Sequence, residues 1–77
     1  MADPLMTRFF RYSMERDRAI RLILIEDDGK ISQVNAVVLR YDAQRISLYI
    51  IRPPKNITIP LSQVLSASYA PKDEGEG

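Results

Sequence analysis

Ile20-Arg21-Leu22-Ile23-Leu24-Ile25-Glu26-Asp27-Asp28-Gly29 opens, and Ile57-Thr58-Ile59-Pro60-Leu61-Ser62-Gln63-Val64 helps to close, the stretch from Ile20 to Tyr69 that decides the fold. Within it, short runs rich in β-branched residues alternate with turn-forming clusters, the pattern of half-buried strands joined by hairpins. The spacing predicts a small, curled antiparallel sheet.

The first strand, Ile20 to Glu26, is apolar on both faces from Leu22 through Ile25. That suits a central strand with the sheet core on one side and a helix on the other. Asp27-Asp28-Gly29 then supplies a hairpin turn, because glycine enters the left-handed region without a Cβ penalty. A long second strand is expected from Ile31 to Tyr41, with Asn35-Ala36 as the place for a bend or bulge. After a turn at Tyr41 to Arg45, Ile46, Leu48 and Ile50 point one way while Ser47, Tyr49 and Ile51 point the other. The segment Arg52-Pro53-Pro54-Lys55-Asn56 ends that strand, since proline cannot donate to a ladder. In the fourth strand Ile57, Ile59 and Leu61 face inward and Thr58 outward, with Pro60 marking an edge or a strand end. One tight helical turn over Leu61 to Leu65 and a last strand at about Ser66 to Tyr69 complete the five.

Ahead of the sheet, Asp3-Pro4 makes a helix start, an Asp cap followed by a proline that loses no hydrogen bond at the first helical position. The helix is expected to run to about Asp17. Leu5, Phe9 and Ser13 lie along one line and Met6, Phe10 and Met14 along the next, which makes one continuous apolar face at the 3.6-residue period. Residues 1–71 therefore read as a single helix-plus-barrel domain, and 72–77 as a disordered acidic tail.

The chain has 77 residues, 45% of them hydrophobic and 8% aromatic, enough for one small core. It contains no histidine and no cysteine, so zinc sites, disulfides and triad-type hydrolysis fall away as function classes. Net charge is +1, and the tail carries one lysine and three acids, so the body stands at +3. Such a small cation excess permits contact with a polyanion without requiring it. The early arginines break any signal-peptide core, and no apolar run long enough to span a bilayer is present, so a cytoplasmic protein without a membrane partner is expected.

Three clusters are candidates for function. Arg8, Arg11, Arg16, Arg18 and Arg21, with Phe9 and Tyr12 nearby, could grip phosphate or stack a base, or could be a solvated helix face. Arg40, Tyr41, Tyr49 and Arg52 lie on neighbouring strands and could make a polar-aromatic patch, although strand tyrosines are often packing residues. Glu26, Asp27 and Asp28 form an acidic turn with too few ligands for a hard cation and read best as a solvated hairpin tip. The serines have no partner base.

On these residues the segment Ile20 to Val64 resembles the WYL domain, an Sm-like small barrel of bacterial regulators. Leu48-Tyr49-Ile50 stands where that family carries Trp-Tyr-Leu, with the tyrosine kept. Ile59-Pro60-Leu61-Ser62-Gln63-Val64 looks like its Phe-x-Leu-Asp-Arg-Ile element, with Ser62-Gln63 in place of the Asp-Arg pair. The family's arginine and proline on the second strand have no counterpart between Ser32 and Val38. The same closing element is also similar to the C-terminal half of YolD-like proteins, a small family associated with DNA-damage polymerase loci. These resemblances imply a five-stranded antiparallel Sm-like small barrel behind one N-terminal helix, in a mainly β protein.

The expectation is a non-enzymatic binding or regulatory accessory module, with Arg16, Arg18, Arg40, Tyr49 and Arg52 contacting nucleic acid or a nucleotide-like anion. The alternative is a structural interaction module that works through self-association or a partner protein. No cofactor or metal is expected.

Overall fold

The computed structural model describes residues 4–70, so the Asp3 cap and the acidic tail 72–77 lie outside the described residues. Helix α1 (Pro4–Arg16) is followed by β1 (Ile20–Ile25), β2 (Ile31–Tyr41), β3 (Arg45–Ile50) and β4 (Lys55–Pro60). A 3₁₀ turn (Leu61–Gln63) then leads into β5 (Val64–Tyr69). The five strands form one antiparallel sheet in the order β4-β3-β2-β1-β5. β4 and β5 stand at opposite edges and do not pair, so the hydrogen-bond ladder does not close on itself.

Each turn follows from its residues. In the first hairpin Glu26 N–H donates to Lys30 O at 2.8 Å, and Gly29, at φ 88°, takes the left-handed position of the three-residue loop. The Asp28 carboxylate accepts from Lys30 N–H at 3.0 Å. In the second, Asp42 Oδ1 accepts from both Gln44 and Arg45 N–H at 2.8 Å. Those backbone donors, followed by the charges of Arg40 and Arg45, hold the Asp42 carboxyl below the ordinary carboxylate range. Asp17, at φ 55°, ends α1: the chain turns back so that Arg18 N–H bonds Ser13 O at 3.2 Å, a closure of Schellman type.

The core lies on one face of the sheet. Ile20, Leu22 and Leu24 of β1 align with Ala36 and Val34 of β2, and Ile46, Leu48 and Ile50 of β3 with Ile59 and Ile57 of β4. Phe10 enters the same cluster from α1 and is fully buried, with its ring 5.2 Å from that of Tyr41. Each such side chain contributes about 1.5–3 kcal/mol by leaving water. At the β5 end Phe9 and Tyr12 meet the Tyr69 ring edge-on, at 4.7 and 4.8 Å.

Two expectations are corrected here. β1 was expected to lie between a core on one side and the helix on the other, yet α1 packs on the core face itself. On that face the helix aromatics meet Tyr41 of β2 and Tyr69 of β5. The opposite side chains, Arg21, Ile23 and Ile25, are only half-buried. The bulge of β2 also sits at Leu39, where the register shifts between Val38 and Arg40, and not at Asn35-Ala36.

Ser13 explains how the helix is fixed. In the β1–β2 register Val38 falls opposite residue 18, two residues beyond the last paired position, Ile20 with Ala36. The Ser13 hydroxyl stands in that gap: it accepts from Val38 N–H at 2.8 Å and donates to Arg18 O at 2.6 Å. A side chain from the helix thus supplies one further rung of the ladder. Its full burial inside an apolar cluster is then chemically consistent, because both hydrogen-bonding capacities are used.

Candidate functional site

The face of the sheet turned away from α1 carries the polar residues. Along β3, Arg45, Ser47 and Tyr49 alternate with the buried Ile46, Leu48 and Ile50. Ser47 lies between Arg40 of β2 and Thr58 of β4, with its hydroxyl 3.0 Å from that of Thr58. Tyr49 lies between Val37 and Asn56 and leaves 38% of its surface exposed. Arg40 is therefore a diagonal neighbour of Tyr49 on one face, and such pairs are within reach of long and aromatic side chains. Further along this face, Arg21 sits between Asn35 and Ser68. Its Nε is buried and has no hydrogen-bond partner in the structure.

The five candidate residues divide into separate groups. Arg40 and Tyr49 share the solvent face. Arg52 is exposed in the 51–54 turn that joins β3 to β4, next to Ile51, whose N–H bonds Asn35 O at 3.2 Å. Arg16 is in the last turn of α1, its guanidinium 5.7 Å from the Tyr12 ring centre, a cation–π contact that ties it to the aromatic cluster around Tyr69. Arg18 is exposed just after the helix, where its backbone rather than its side chain does the structural work. Tyr41, weighed with the strand cluster, belongs to the core face through its contact with Phe10. Its place is settled by the bulge at Leu39, which moves Arg40 outward and Tyr41 inward.

Among the described residues the one ion pair joins Arg11 and Glu15, at 3.7 Å on the exposed helix surface. Arg40 and Arg45 lie close enough to Asp42 for their charges to act on its carboxyl, whose Oδ1 is taken by two backbone N–H groups. Arg45 and Arg21 complete the basic character of this face; Arg21, grouped with the helix arginines in the sequence, belongs to β1 of the sheet, and Arg45 has no place in any of the three sequence clusters. The alternation Arg45-Ile46-Ser47-Leu48-Tyr49 holds the signal for Arg45, since it places Arg45 on the Tyr49 side.

The acidic tip has a structural role. Gln63 Nε2 donates to Asp27 Oδ1 at 2.7 Å, which ties the 3₁₀ turn to the first hairpin. Glu26, Asp27, Asp28 and Gln63 line a shallow, open depression there. Among the described residues no three metal-ligating side chains converge, and no helix is long and apolar enough to cross a membrane.

Comparison of the chain with family models, with curated proteins and with solved structures gave no match.

Proposed function

We propose that the protein is a non-enzymatic binding module of regulatory or accessory type, working in the cytoplasm on nucleic acid or a nucleotide-like anion. The observation that carries this reading is the solvent face of the sheet, where the exposed Tyr49 ring lies beside Arg40 and in line with Arg45. A tyrosine face can stack a base while neighbouring guanidinium groups meet phosphate, a combination suited to single strands. Arg52 would extend the contact at the β3–β4 turn, and Arg16 and Arg18 would add charge from the helix side. The short 3₁₀ link between the two edge strands supports reading the curled sheet as an Sm-like small barrel of WYL-like or YolD-like kind.

The test is fluorescence anisotropy with labelled single- and double-stranded oligonucleotides at low salt. Binding that weakens with added salt is expected, together with about a tenfold loss or more on combining Arg40→Ala with Tyr49→Ala. Absence of binding at low salt overturns the reading. A second variant, Arg16→Ala with Arg18→Ala, measures what the helix side adds.

A structural module acting through self-association or a protein partner is the second reading. The bare edge strand β5, which contains neither charge nor proline, favours it.

A further inference from the structure

The two open edges of the sheet are built differently. β4 begins with Lys55 and ends with Pro60, two residue types that discourage strand addition. Its ladder with β3 continues into the bond from Leu61 N–H to Gln44 O, so odd-numbered residues turn their amides to β3 and Asn56, Thr58 and Pro60 turn theirs outward. The last of these has no N–H to give. β4 is a guarded edge.

β5 reads Val64-Leu65-Ser66-Ala67-Ser68-Tyr69. In the first hairpin Glu26 directs its N–H towards β2, so even-numbered residues of β1 face β2 and odd-numbered ones face β5. Ser66 and Ser68, paired with Ile23 and Arg21, therefore spend their amides on β1, while Ala67 and Tyr69 turn theirs to the outside. Leu65, the extra residue of a β5 bulge, is 48% exposed, and Tyr69 is 56% exposed although Phe9 and Tyr12 hold its ring from one side.

The order Leu65-Ser66-Ala67-Ser68-Tyr69 is close to a palindrome about Ala67: large apolar, serine, alanine, serine, large apolar. An antiparallel strand pair generated by a two-fold axis needs that pattern, because residues equally far from the axis meet each other. We infer that β5 pairs with β5 of a second copy of this chain, antiparallel about a two-fold axis at Ala67, to form a dimer with a continuous ten-stranded sheet. Leu65 of each copy then meets Tyr69 of the other, Ser66 meets Ser68, and the outward amides of Ala67 bond across the axis. No like charges oppose each other along this edge. The arrangement closes at two copies, whereas joining the β5 edge to the β4 edge would generate larger rings or filaments.

The inference rests on the self-association reading and is narrower than it. The test is sedimentation velocity of the full chain over a range of concentrations, with circular dichroism to establish that each variant folds. Wild type is expected to show a reversible monomer–dimer equilibrium. Ala67→Pro, at an amide that β1 does not use, should raise the dissociation constant roughly tenfold or more. Two variants with intact backbones complete the test. Ser66→Lys with Ser68→Glu sets opposite charges across each serine rung and should tighten the dimer, while Ser66→Glu with Ser68→Glu sets like charges there and should weaken it, about threefold or more between the two. A wild-type monomer at all concentrations overturns both the inference and the self-association reading. Assemblies larger than two, or a dimer indifferent to the two charge variants, leave self-association standing and overturn the β5 pairing.

Discussion

The two faces of the sheet are made by the same strands, and Leu48 and Tyr49, adjacent in β3, belong to opposite ones. Leu48 is fully buried among Ile46, Ile50, Val38 and Phe10 in the core cluster, whereas Tyr49 stands exposed with Arg40 and Ser47 beside it. On the core face nearly every side chain is apolar, and the one buried hydroxyl, Ser13, has both its bonds made. On the solvent face the guanidinium groups are free of ion pairs among the described residues. Stability is thus concentrated on one side of β3 and the groups able to meet a partner on the other.

The sharpest way to break this comparison is Leu48→Ala, which should cost about 2–5 kcal/mol of stability through lost burial and the cavity left behind. Urea unfolding followed by circular dichroism measures it, and a loss below 1 kcal/mol would mean that the core is not where the structure puts it. Ser13→Ala should cost about 1–3 kcal/mol, because it strands Val38 N–H and Arg18 O together in a buried place. The same unfolding experiment reads it. By contrast, Arg40→Ala with Tyr49→Ala should change stability by no more than about 0.5 kcal/mol per site while weakening oligonucleotide binding. A large loss of stability there would assign the pair to packing.

The smallest effect is expected at Asp42. Its carboxyl is held below the ordinary range in the folded chain, so its contribution is complete above the unfolded-state pKa and is lost as the pH falls through the depressed value. Asp42→Asn should therefore lower the neutral plateau of a stability–pH curve slightly, leave the strongly acid region nearly unchanged, and so flatten the acid limb between them. Urea midpoints collected from neutral to strongly acid pH are the check.

Much of the fold was legible in the sequence because hydrophobic alternation and turn chemistry agree at each element. Ile31 to Tyr41 was bounded correctly, and Asp27-Asp28-Gly29 and the turn after Pro60 behave as their residues require. The helix position was legible as well, but not the face it covers. An apolar stripe says that something must be buried and is silent about which side of the sheet receives it. The bulge at Leu39 was hidden for a related reason: it follows Val38, whose N–H is bonded by Ser13 from 25 positions away, and no local pattern encodes that partner. The same bulge separates Tyr41 from Arg40, so the strand cluster read as one patch is divided between the two faces. For the candidate site, residue types were readable while their grouping was not, since Arg16 and Arg40 resemble each other in sequence and differ only in the surface that the fold gives them.

The Ser13 rung also bears on how the molecule opens. Because one hydroxyl joins α1 to Arg18 in the link before β1 and to Val38 beside the bulge of β2, the helix cannot leave the sheet without exposing the Val38 amide to solvent. Lifting the helix and fraying that end of the β1–β2 pair are then a single event with a single free energy, a cooperative unit smaller than the whole domain. Exchange of the Val38 amide with deuterium consequently acts as a clock for helix release, slow while α1 is seated and fast whenever it lets go.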